Sequence, residues 1–290
     1  MKVHKDFCDK IPIFVTHLRF SDDFNNDIEG LIPNSIKSLI FGCRFNRNIK
    51  GCIPNSVKYL NLGSYFNQDI NGSIPNSVTH LILSTSFNIN IKQIGYISNS
   101  VTHLTFGGCF DQDITNFIPN SVRYLDFGMC FNQDINGPGK IPNSVRKLKL
   151  GSCFNLNIDV GSIPSSVRHL DFSRAFNRSI SPGVIPNSIK YLRFGDAFNQ
   201  DIKGVIPNSV THLSFGNNFN QKIKYPEYLP NSIKHLAFGM YFFQDIECTD
   251  VLPHSVRYLK MFKEIDRLCI LPSYIKATYS IRPTLLIYRS

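Results

Sequence analysis

Hydrophobic and polar positions along the chain repeat every 21 to 23 residues. One unit reads I-P-N-S-V-x-x-L-x-F-G-x-x-F-N-Q-D-I, and its Phe-Asn dipeptide, or a close variant, begins at eleven positions. A repeat of this length predicts stacked structural units in place of one compact domain. The first residues of these dipeptides are Phe24, Phe45, Phe66, Phe87, Phe110, Phe131, Phe154, Phe176, Phe198, Phe219 and Phe242.

The segment V-x-x-L-x-F alternates apolar and polar positions, which is typical of a half-buried strand. Its Leu is present in twelve units, and this uniformity predicts twelve short strands in one repeated environment. Strands at one fixed spacing stack in register, about 4.8 Å apart, as a parallel sheet along a right-handed solenoid. The Leu positions are Leu18, Leu39, Leu60, Leu81, Leu104, Leu125, Leu148, Leu170, Leu192, Leu213, Leu236 and Leu259.

The rest of each unit contains Pro and Gly without helical periodicity, so we expect extended or turn-like return paths. The predicted fold class is therefore mainly β: a right-handed leucine-rich-repeat-like solenoid with one parallel sheet of about 12 short strands and little or no helix. Residues 11–261 would form 11 to 12 coils. Because an open solenoid exposes apolar faces at its ends, residues 1–10 are predicted as an N-terminal cap and residues 262–290 as an incomplete coil with a C-terminal cap.

Two further columns of the repeat carry structural predictions. The Asn after the repeated Phe is expected to point inward and to bond the backbone of its own and adjacent coils. Cys109, Cys130 and Cys153 are aligned just before the Phe in three successive units. At these positions we expect small buried thiols in preference to a redox site.

Composition narrows the class of protein. The chain has 290 residues, 42% of them hydrophobic, and a net charge of +10 from 31 Lys and Arg against 21 Asp and Glu. It has no apolar run long enough for a membrane helix and no apolar segment typical of a secretory signal at its start, so we expect an intracellular, cytoplasmic monomer that is not secreted and has no membrane partner. The eight cysteines contain no C-x-x-C pair, so reduced thiols are expected.

The motif L-x-x-L-x-L followed by Asn resembles the leucine-rich repeat, and F-N-Q-D-I-x-G with I-P-N-S-V is similar to the FNIP repeat over about residues 11 to 260. FNIP-repeat proteins are known chiefly from amoebae and from large DNA viruses that infect them, and many place an F-box that recruits a ubiquitin ligase ahead of the repeats. Only ten residues precede Ile11, so we do not expect that adaptor function here. The resemblance implies a protein-interaction surface with no assigned chemistry.

The second x of V-x-x-L-x-F and the x after Leu point away from the core, onto the exposed concave face of the sheet. The first x is Lys or Arg in eight of twelve units and predicts a basic rim, while the Asp of F-N-Q-D predicts an acidic rim. Candidate partner-binding residues are His80, His103, Tyr124, His169, Tyr191, His212 and His235 on the face, with Arg123, Arg146, Arg168 and Lys190 on the basic rim.

These columns favour a non-catalytic scaffold that binds an unidentified protein, a host protein if the chain is viral. The alternative is a nucleic-acid-binding solenoid, because Lys and Arg beside Tyr and His suit phosphates and stacked bases. Against it, Thr interrupts the basic column, and Asp126 and Asp171 face that column. A third interpretation is that these residues were simply duplicated with the repeat and kept because they are soluble.

Catalysis, cofactors and metal ions are not expected. The sequence has no G-x-S-x-G, phosphate-binding Gly loop or H-E-x-x-H motif, and its prominent acidic residues recur with the repeat. Adjacent histidines such as His80 and His103 lack the third and fourth ligands that zinc normally takes.

Overall fold

A computed structural model describes residues 1–3, 10–89, 96–244, 251–262 and 275–279 of the chain. Secondary structure in these ranges consists of short strands and one 3-10 turn at Pro226–Tyr228. The strands are β1 Lys2–Val3, β2 His17–Phe20, β3 Ser38–Ile40, β4 Tyr59–Asn61, β5 His80–Ile82, β6 His103–Thr105, β7 Tyr124–Asp126, β8 Lys147–Lys149, β9 His169–Asp171, β10 Tyr191–Arg193, β11 His212–Ser214, β12 His235–Ala237, β13 Tyr258–Met261 and β14 Lys276–Tyr279.

The strands form one sheet in which each strand pairs with its neighbours in the chain, and every pair is parallel. The register is that of the repeat, so Leu104 pairs with Leu125 and Leu125 with Leu148. The twelve predicted strands are β2 to β13, and the predicted β-solenoid with little helix is confirmed. Two strands lie outside these twelve. β1 extends the sheet beside β2 and was not predicted, and β14 extends it beside β13 within the segment predicted as an incomplete coil.

The core is built from columns of identical side chains. The Leu of every coil from Leu18 to Leu259 is at most 2% exposed. Behind the Leu column, two columns of Phe pack within and between coils. Phe127 and Phe131 of one coil have ring centroids 4.1 Å apart, and the Phe131 ring lies 6.2 Å from that of Phe110 in the preceding coil, with the two ring planes nearly parallel. Such offset ring contacts add to the stabilisation from burial of the rings.

The Ser of I-P-N-S joins neighbouring coils by a hydrogen bond. In one central coil, the Ser144 hydroxyl donates to the carbonyl oxygen of Val122 at 2.7 Å. Because a buried carbonyl without a partner is costly, this bond accounts for the recurrence of Ser. The same bond is made by Ser35, Ser56, Ser77, Ser100, Ser121, Ser166, Ser188, Ser209, Ser232 and Ser255.

The Asn after the Phe forms a second ladder. Asn132 Oδ1 accepts the backbone N–H of Asn155 at 2.9 Å, and Asp111 plays the same part for Asn132. In several coils the Gln of F-N-Q donates to the same oxygen, as Gln200 does to Asn177. The predicted bonding between coils is confirmed. The predicted inward direction is wrong, because Asn132 and Asn177 are exposed. The N–H that each Asn serves belongs to the next coil, so its acceptor lies along the wall of the stack and not in the core.

The predicted caps fall largely outside the described residues. Residues 4–9, 263–274 and 280–290 lie there, so the cap assignments for residues 1–10 and 262–290 stay predictions. The described parts of these segments include β1 and β14, which occupy the two ends of the sheet. Within the described ranges, no helix has the length and apolar character needed to cross a membrane.

Two substitutions in one coil separate the contribution of the core to the free energy of unfolding from that of the Asn ladder. Leu125→Ala removes a fully buried side chain and is expected to cost about 2 to 5 kcal/mol in the free energy of unfolding. Asn132→Ala removes one acceptor at the surface, where water partly replaces it, and is expected to cost about 0.5 to 1.5 kcal/mol. Urea-induced unfolding measures both changes.

Asn132→Asp is the matched control for the ladder, because Asp111 already occupies this column and accepts the same bond. It is expected to unfold at nearly the urea concentration of the unchanged protein. Equal losses in Asn132→Asp and Asn132→Ala would contradict the role of the side-chain oxygen.

Candidate partner-binding face

The sheet face is the side of the sheet formed by the residues that flank the Leu of each strand. In most strands the Leu is buried and its two neighbours are partly or fully exposed, as predicted. The strand register places equivalent residues of neighbouring coils side by side, so His80 pairs with His103 and His212 with His235. Both columns predicted for this face therefore run straight across the sheet.

The residues before the Leu form an aromatic column with two runs of stacked rings. In the first run, His80 and His103 have ring centroids 4.1 Å apart, and His103 lies 5.8 Å from Tyr124. Lys147 separates the runs and places its Nζ 5.2 Å from the centroid of the Tyr124 ring. The second run comprises His169, Tyr191, His212, His235 and Tyr258, with successive centroids 4.1 to 4.4 Å apart.

Thr residues orient several of the histidines. Thr79 Oγ1 lies 3.0 Å from Nδ1 of His80, and Thr211 Oγ1 lies 2.9 Å from Nδ1 of His212. The Thr211 hydroxyl also lies 3.2 Å from the carbonyl oxygen of Lys190 in the preceding coil. The four Thr of the first-x column each precede a His, so they do more than interrupt the basic rim. Each Thr fixes the orientation of the next imidazole ring, and the rings of His80, His103 and His212 stack on a neighbouring ring.

Three histidines of the column have pKa values below the usual range. Partial desolvation is the main cause for His103, His169 and His212. Electrostatic interaction with a neighbour adds to it: His80 lowers the pKa of His103, and Lys147 lowers that of His169. Lowered pKa values favour the neutral rings at pH 7, and neutral rings can stack without charge repulsion.

A groove of about 540 Å³ runs along the sheet face from β8 to β14. Its floor and walls come from the aromatic column on one side and from the residues after the Leu on the other. The wall formed by the residues after the Leu is lowest at Ser214 and Ala237, because their small side chains leave space beside His212 and His235. Four cationic residues, Lys147, Arg193, Lys260 and Lys276, and one acidic residue, Asp171, also line the groove.

In the middle of the sheet, one residue after the Leu is buried and not exposed on the sheet face. Asp126 was predicted to be exposed there, but it is only 7% exposed, and that prediction is wrong. Its carboxylate accepts the backbone N–H of Gly128 at 2.9 Å and forms an ion pair with Lys149 at 3.1 Å. Asp171 likewise lies 3.6 Å from Arg193. Ion pairing within the post-Leu column thus engages the two acidic residues that had been expected to face the basic rim.

The basic rim lies at the entry to the strands. Arg123, Arg146, Arg168 and Lys190 are exposed and occupy successive coils, joined by backbone bonds such as that from the Arg146 N–H to the Arg123 carbonyl at 2.8 Å. One of them also serves its own turn: the Arg168 guanidinium donates to the carbonyl oxygens of Ser165 and Ser166 at 2.9 and 3.1 Å. The four cations are thus brought together, as predicted.

The Asp residues of the acidic rim have a structural role that was not predicted. Asp134 Oδ1 accepts the backbone N–H of Asn136 at 2.9 Å, and Asp201 Oδ1 accepts that of Lys203 at 3.0 Å. Such Asx turns stabilise the chain reversal after the Phe. Asp27, Asp69 and Asp113 make the same bond, whereas Asp245 lies outside the described residues.

Sequence reasoning missed two surface features. The groove had one visible signal, the consecutive small residues Ser214 and Ala237 in the post-Leu column. The second feature is the thiols: Cys109, Cys130 and Cys153 are exposed, so the prediction of buried thiols is wrong. Each lies in the turn between the strand and a core Phe, and in this turn the side chain before the Phe faces solvent. No group of three His, Cys, Asp or Glu in the described ranges could hold a metal ion.

The lowered histidine pKa values predict a loss of stability on mild acidification. An unfolded histidine has a pKa near 6.5, so between that pH and the lowered folded-state values the unfolded chain binds more protons. The stabilisation is complete above about pH 6.5 and is lost as the pH falls through the folded-state values. Thermal unfolding at pH 7.5, 6.5 and 5.5 is therefore expected to show a falling midpoint.

His212→Gln is expected to reduce this pH dependence, while His17→Gln, at an exposed end of the column, serves as the matched control. Asp69 and Asp113 do not interfere: hydrogen bonds from Tyr96 and Lys140 hold their pKa values below 3.8, so their contribution is lost only in more acid solution. A midpoint independent of pH from 7.5 to 5.5 would contradict the prediction.

Comparisons with known proteins agree with the repeat architecture. The family model described as FNIP Repeat matches residues 9–44, 45–86, 87–130, 131–175, 154–197, 176–218, 198–227 and 219–263. The chain is similar to the crystal structure of CroV588, described as a novel circular LRR protein, with 35% sequence identity and a TM-score of 0.72 over 93% of this chain. It covers 47% of that protein and so spans about half of its length.

A leucine-rich repeat protein from Bacteroides ovatus ATCC 8483 also aligns, covering 92% of this chain and 75% of that protein, but at 12% identity and a TM-score of 0.22 it supports no argument about this fold. No curated protein matches the sequence. The eight family matches span nearly all of the solenoid, and the repeated Phe-Asn and Pro-Asn-Ser positions that they share form its core and its ladders. The chain therefore belongs to the FNIP-repeat family.

Proposed function

We propose that this chain is a non-catalytic scaffold that binds a partner protein through the sheet face and the basic rim. The observation that carries the proposal is the groove beside the aromatic column, where Tyr191 and Tyr258 remain 42% and 47% exposed. Apolar surface gathered in one concave place is typical of an interaction site. Tyr and Arg are also enriched in protein interfaces, because they combine large contact area with directed hydrogen bonds.

The charges around the groove define the chemistry of the partner. Lys147, Arg193, Lys260 and Lys276 outnumber Asp171, and the basic rim adds further cations near the strand entries. A complementary partner presents apolar or aromatic side chains to the groove and acidic side chains to its edges. We place this partner inside the cell, as a host protein if the chain is of viral origin, and we expect the scaffold to act as a monomer.

The alternative, a nucleic-acid-binding solenoid, has support from the Lys and Arg of the rim but less from the rings. Binding of single strands relies on bases that stack on open aromatic faces. In the second run of the aromatic column, rings only 4.1 to 4.4 Å apart cover one another's faces and leave no room for a base between them. Edges and hydroxyl groups remain, and these suit protein side chains better than stacked bases.

Charge reversal tests the basic rim. Combining Arg123→Glu, Arg146→Glu and Arg168→Glu changes the local charge by six units and is expected to abolish binding of an acidic partner. Arg123→Glu and Arg146→Glu are each expected to alter stability by only about 0.5 kcal/mol, and Arg168→Glu by about 0.5 to 1.5 kcal/mol, because its guanidinium also bonds the carbonyl oxygens of Ser165 and Ser166. Partners that co-purify with the unchanged protein are identified by mass spectrometry, purified, and titrated against both proteins by calorimetry.

Asp134→Asn with Asp201→Asn is the control on the opposite rim. Asn keeps the oxygen that the Asx turn needs, as Asn48 does for the N–H of Lys50, while it removes the charge. Unchanged binding by the arginine variant together with loss in the aspartate variant would place the site on the other rim. Loss of nucleic-acid binding with a smaller salt dependence would favour the alternative function.

Filling the groove tests the sheet face separately. Ala237→Trp places a large side chain beside His235 and is expected to weaken partner binding at least tenfold, about 1.4 kcal/mol. Ile82→Trp is the matched control, because it changes the same column of the repeat in β5, away from the groove. Normal binding by Ala237→Trp with loss in Ile82→Trp would show that the partner contacts the other half of the sheet.

A further inference from the structure

Four neighbouring strands, β10 to β13, carry similar residues in mirror order on the sheet face. In the register of the sheet, the residues before the Leu read Tyr-His-His-Tyr and those after it read Arg-Ser-Ala-Lys. A phenol and a cation therefore lie at each end, with imidazole rings and small side chains between them. We call these eight groove residues the four-strand site: Tyr191, Arg193, His212, Ser214, His235, Ala237, Tyr258 and Lys260.

Both ends of the four-strand site present hydrogen-bond donors to solvent. The two tyrosines are exposed, and the side chain of Arg193 is 65% exposed although its guanidinium lies 3.6 Å from Asp171. Lys260 is exposed as well, with its Nζ 5.3 Å from the centroid of the Phe262 ring. A carboxylate accepts strong hydrogen bonds from Arg and Lys and can also accept one from a phenol. Each end of the site therefore suits one carboxylate.

The middle of the four-strand site suits an apolar side chain. The groove surface is mainly apolar, and the residues on β11 and β12 are half-buried. Ser214 and Ala237 leave a space, and the stacked rings of His212 and His235, with centroids 4.1 Å apart, form the wall beside it. A side chain inserted here moves from water to a mainly apolar surface, which favours an apolar residue and disfavours a charged one.

The separation of the two ends matches an extended peptide. Arg193 and Lys260 are three strand pairings apart, which amounts to about 14 Å at about 4.8 Å for each pairing. An extended chain rises about 3.4 Å per residue, so its residues i and i+4 are also about 14 Å apart. Both point to the same side of the chain, as does residue i+2 between them. In a helix, residues i and i+4 are only about 6 Å apart.

We propose that the four-strand site binds an extended segment of the partner protein in which two acidic residues lie four positions apart and an apolar residue lies midway between them. This inference rests on the proposed function of the sheet face and specifies the partner that the face takes. One acidic side chain binds at Arg193 and the other at Lys260, while the apolar side chain enters the space at Ser214 and Ala237. The segment crosses the strands, so its side chains hold it and its backbone adds no strand to the sheet.

Peptides of one composition and charge test the spacing. The first, Gly-Glu-Ser-Leu-Ser-Glu-Gly, has its acids four positions apart; Gly-Glu-Ser-Leu-Glu-Ser-Gly and Gly-Ser-Glu-Leu-Glu-Ser-Gly have them three and two apart. Each is labelled with the same dye and titrated with the protein by fluorescence anisotropy. The first peptide is expected to bind at least about tenfold more tightly than the other two, because only its acids reach both ends of the site from one side of the chain.

Variants of the protein locate the contacts. Arg193→Ala and Lys260→Ala are each expected to weaken binding of the first peptide at least about fivefold, and Ala237→Trp at least about tenfold because it fills the space for Leu. Arg19→Ala is the matched control and is expected to keep the affinity, since it removes an exposed cation of the post-Leu column in β2, away from the groove. Urea unfolding of every variant checks that the fold is retained.

Exchange of charge gives a further check. Lys260→Glu is expected to lose the first peptide and to bind a peptide in which one of the two Glu is replaced by Lys. Two such peptides are compared, with Lys in the first or in the second acidic position, because the segment can run in either direction across the strands. Binding of one of them only to Lys260→Glu, and not to the unchanged protein, is the expected result.

Equal affinity for the three peptides of one composition would overturn the proposal, because it would show attraction to charge alone. So would failure of all three to bind, or full affinity in both Arg193→Ala and Lys260→Ala. The proposed function is judged separately with the co-purified partner. Loss of that partner from Ala237→Trp, together with failure of the first peptide, would leave the sheet face as a binding surface and contradict only the extended segment. Normal partner binding by Ala237→Trp and by the triple arginine variant would contradict the proposed function itself.

Discussion

Everything in this solenoid depends on one constraint: each coil hydrogen-bonds to a copy of itself in register. The parallel strands pair Leu with Leu from β2 to β13, and the turns are bonded from coil to coil in the same manner. A residue type that recurs at one position of the repeat therefore has its own kind as a neighbour on both sides, at about 4.8 Å where the coils pair as strands. One residue type can therefore recur at a position of the repeat only where its side chain can lie next to identical side chains of the coils above and below.

The columns of this chain meet that condition by different chemistry. Leu and Phe pack on copies of themselves without cost, and aromatic rings add stacking. Ser and Asn succeed because they reach the backbone of the neighbouring coil, as Ser144 and Asn132 do, and so avoid repulsion between like groups. His212 stacks on His235 at 4.1 Å, and partial desolvation lowers the pKa of His212, which favours the neutral ring that stacking tolerates. The basic rim is the exception, since neighbouring like charges cost about 0.2 to 1 kcal/mol.

The same constraint separates scaffold from variable surface. In most coils the side chains of the residues after the Leu take no part in a hydrogen-bond ladder. These residues can therefore change from one coil to the next. Where they become small, at Ser214 and Ala237, a groove opens beside the rings. Where they become acidic, they pair with a cation of the next coil, as Asp126 does with Lys149. The thiols on the outer wall vary in the same way, because the column before the Phe does not contribute to the core.

The sequence by itself determined the period, the twelve strands of the repeat, the Leu and Phe core and the direction of the His and Tyr column, because these follow from the alternation of apolar and polar residues within one unit of the repeat. The outward position of Asn132, the exposure of Cys130, the burial of Asp126 and the groove beside His235 were decided only by the tertiary structure. Each of these depends on side chains 21 to 23 residues apart and on the path of the turn. Such contacts leave no periodic signal within a single unit, since their physical cause is the stacking of one coil on the next.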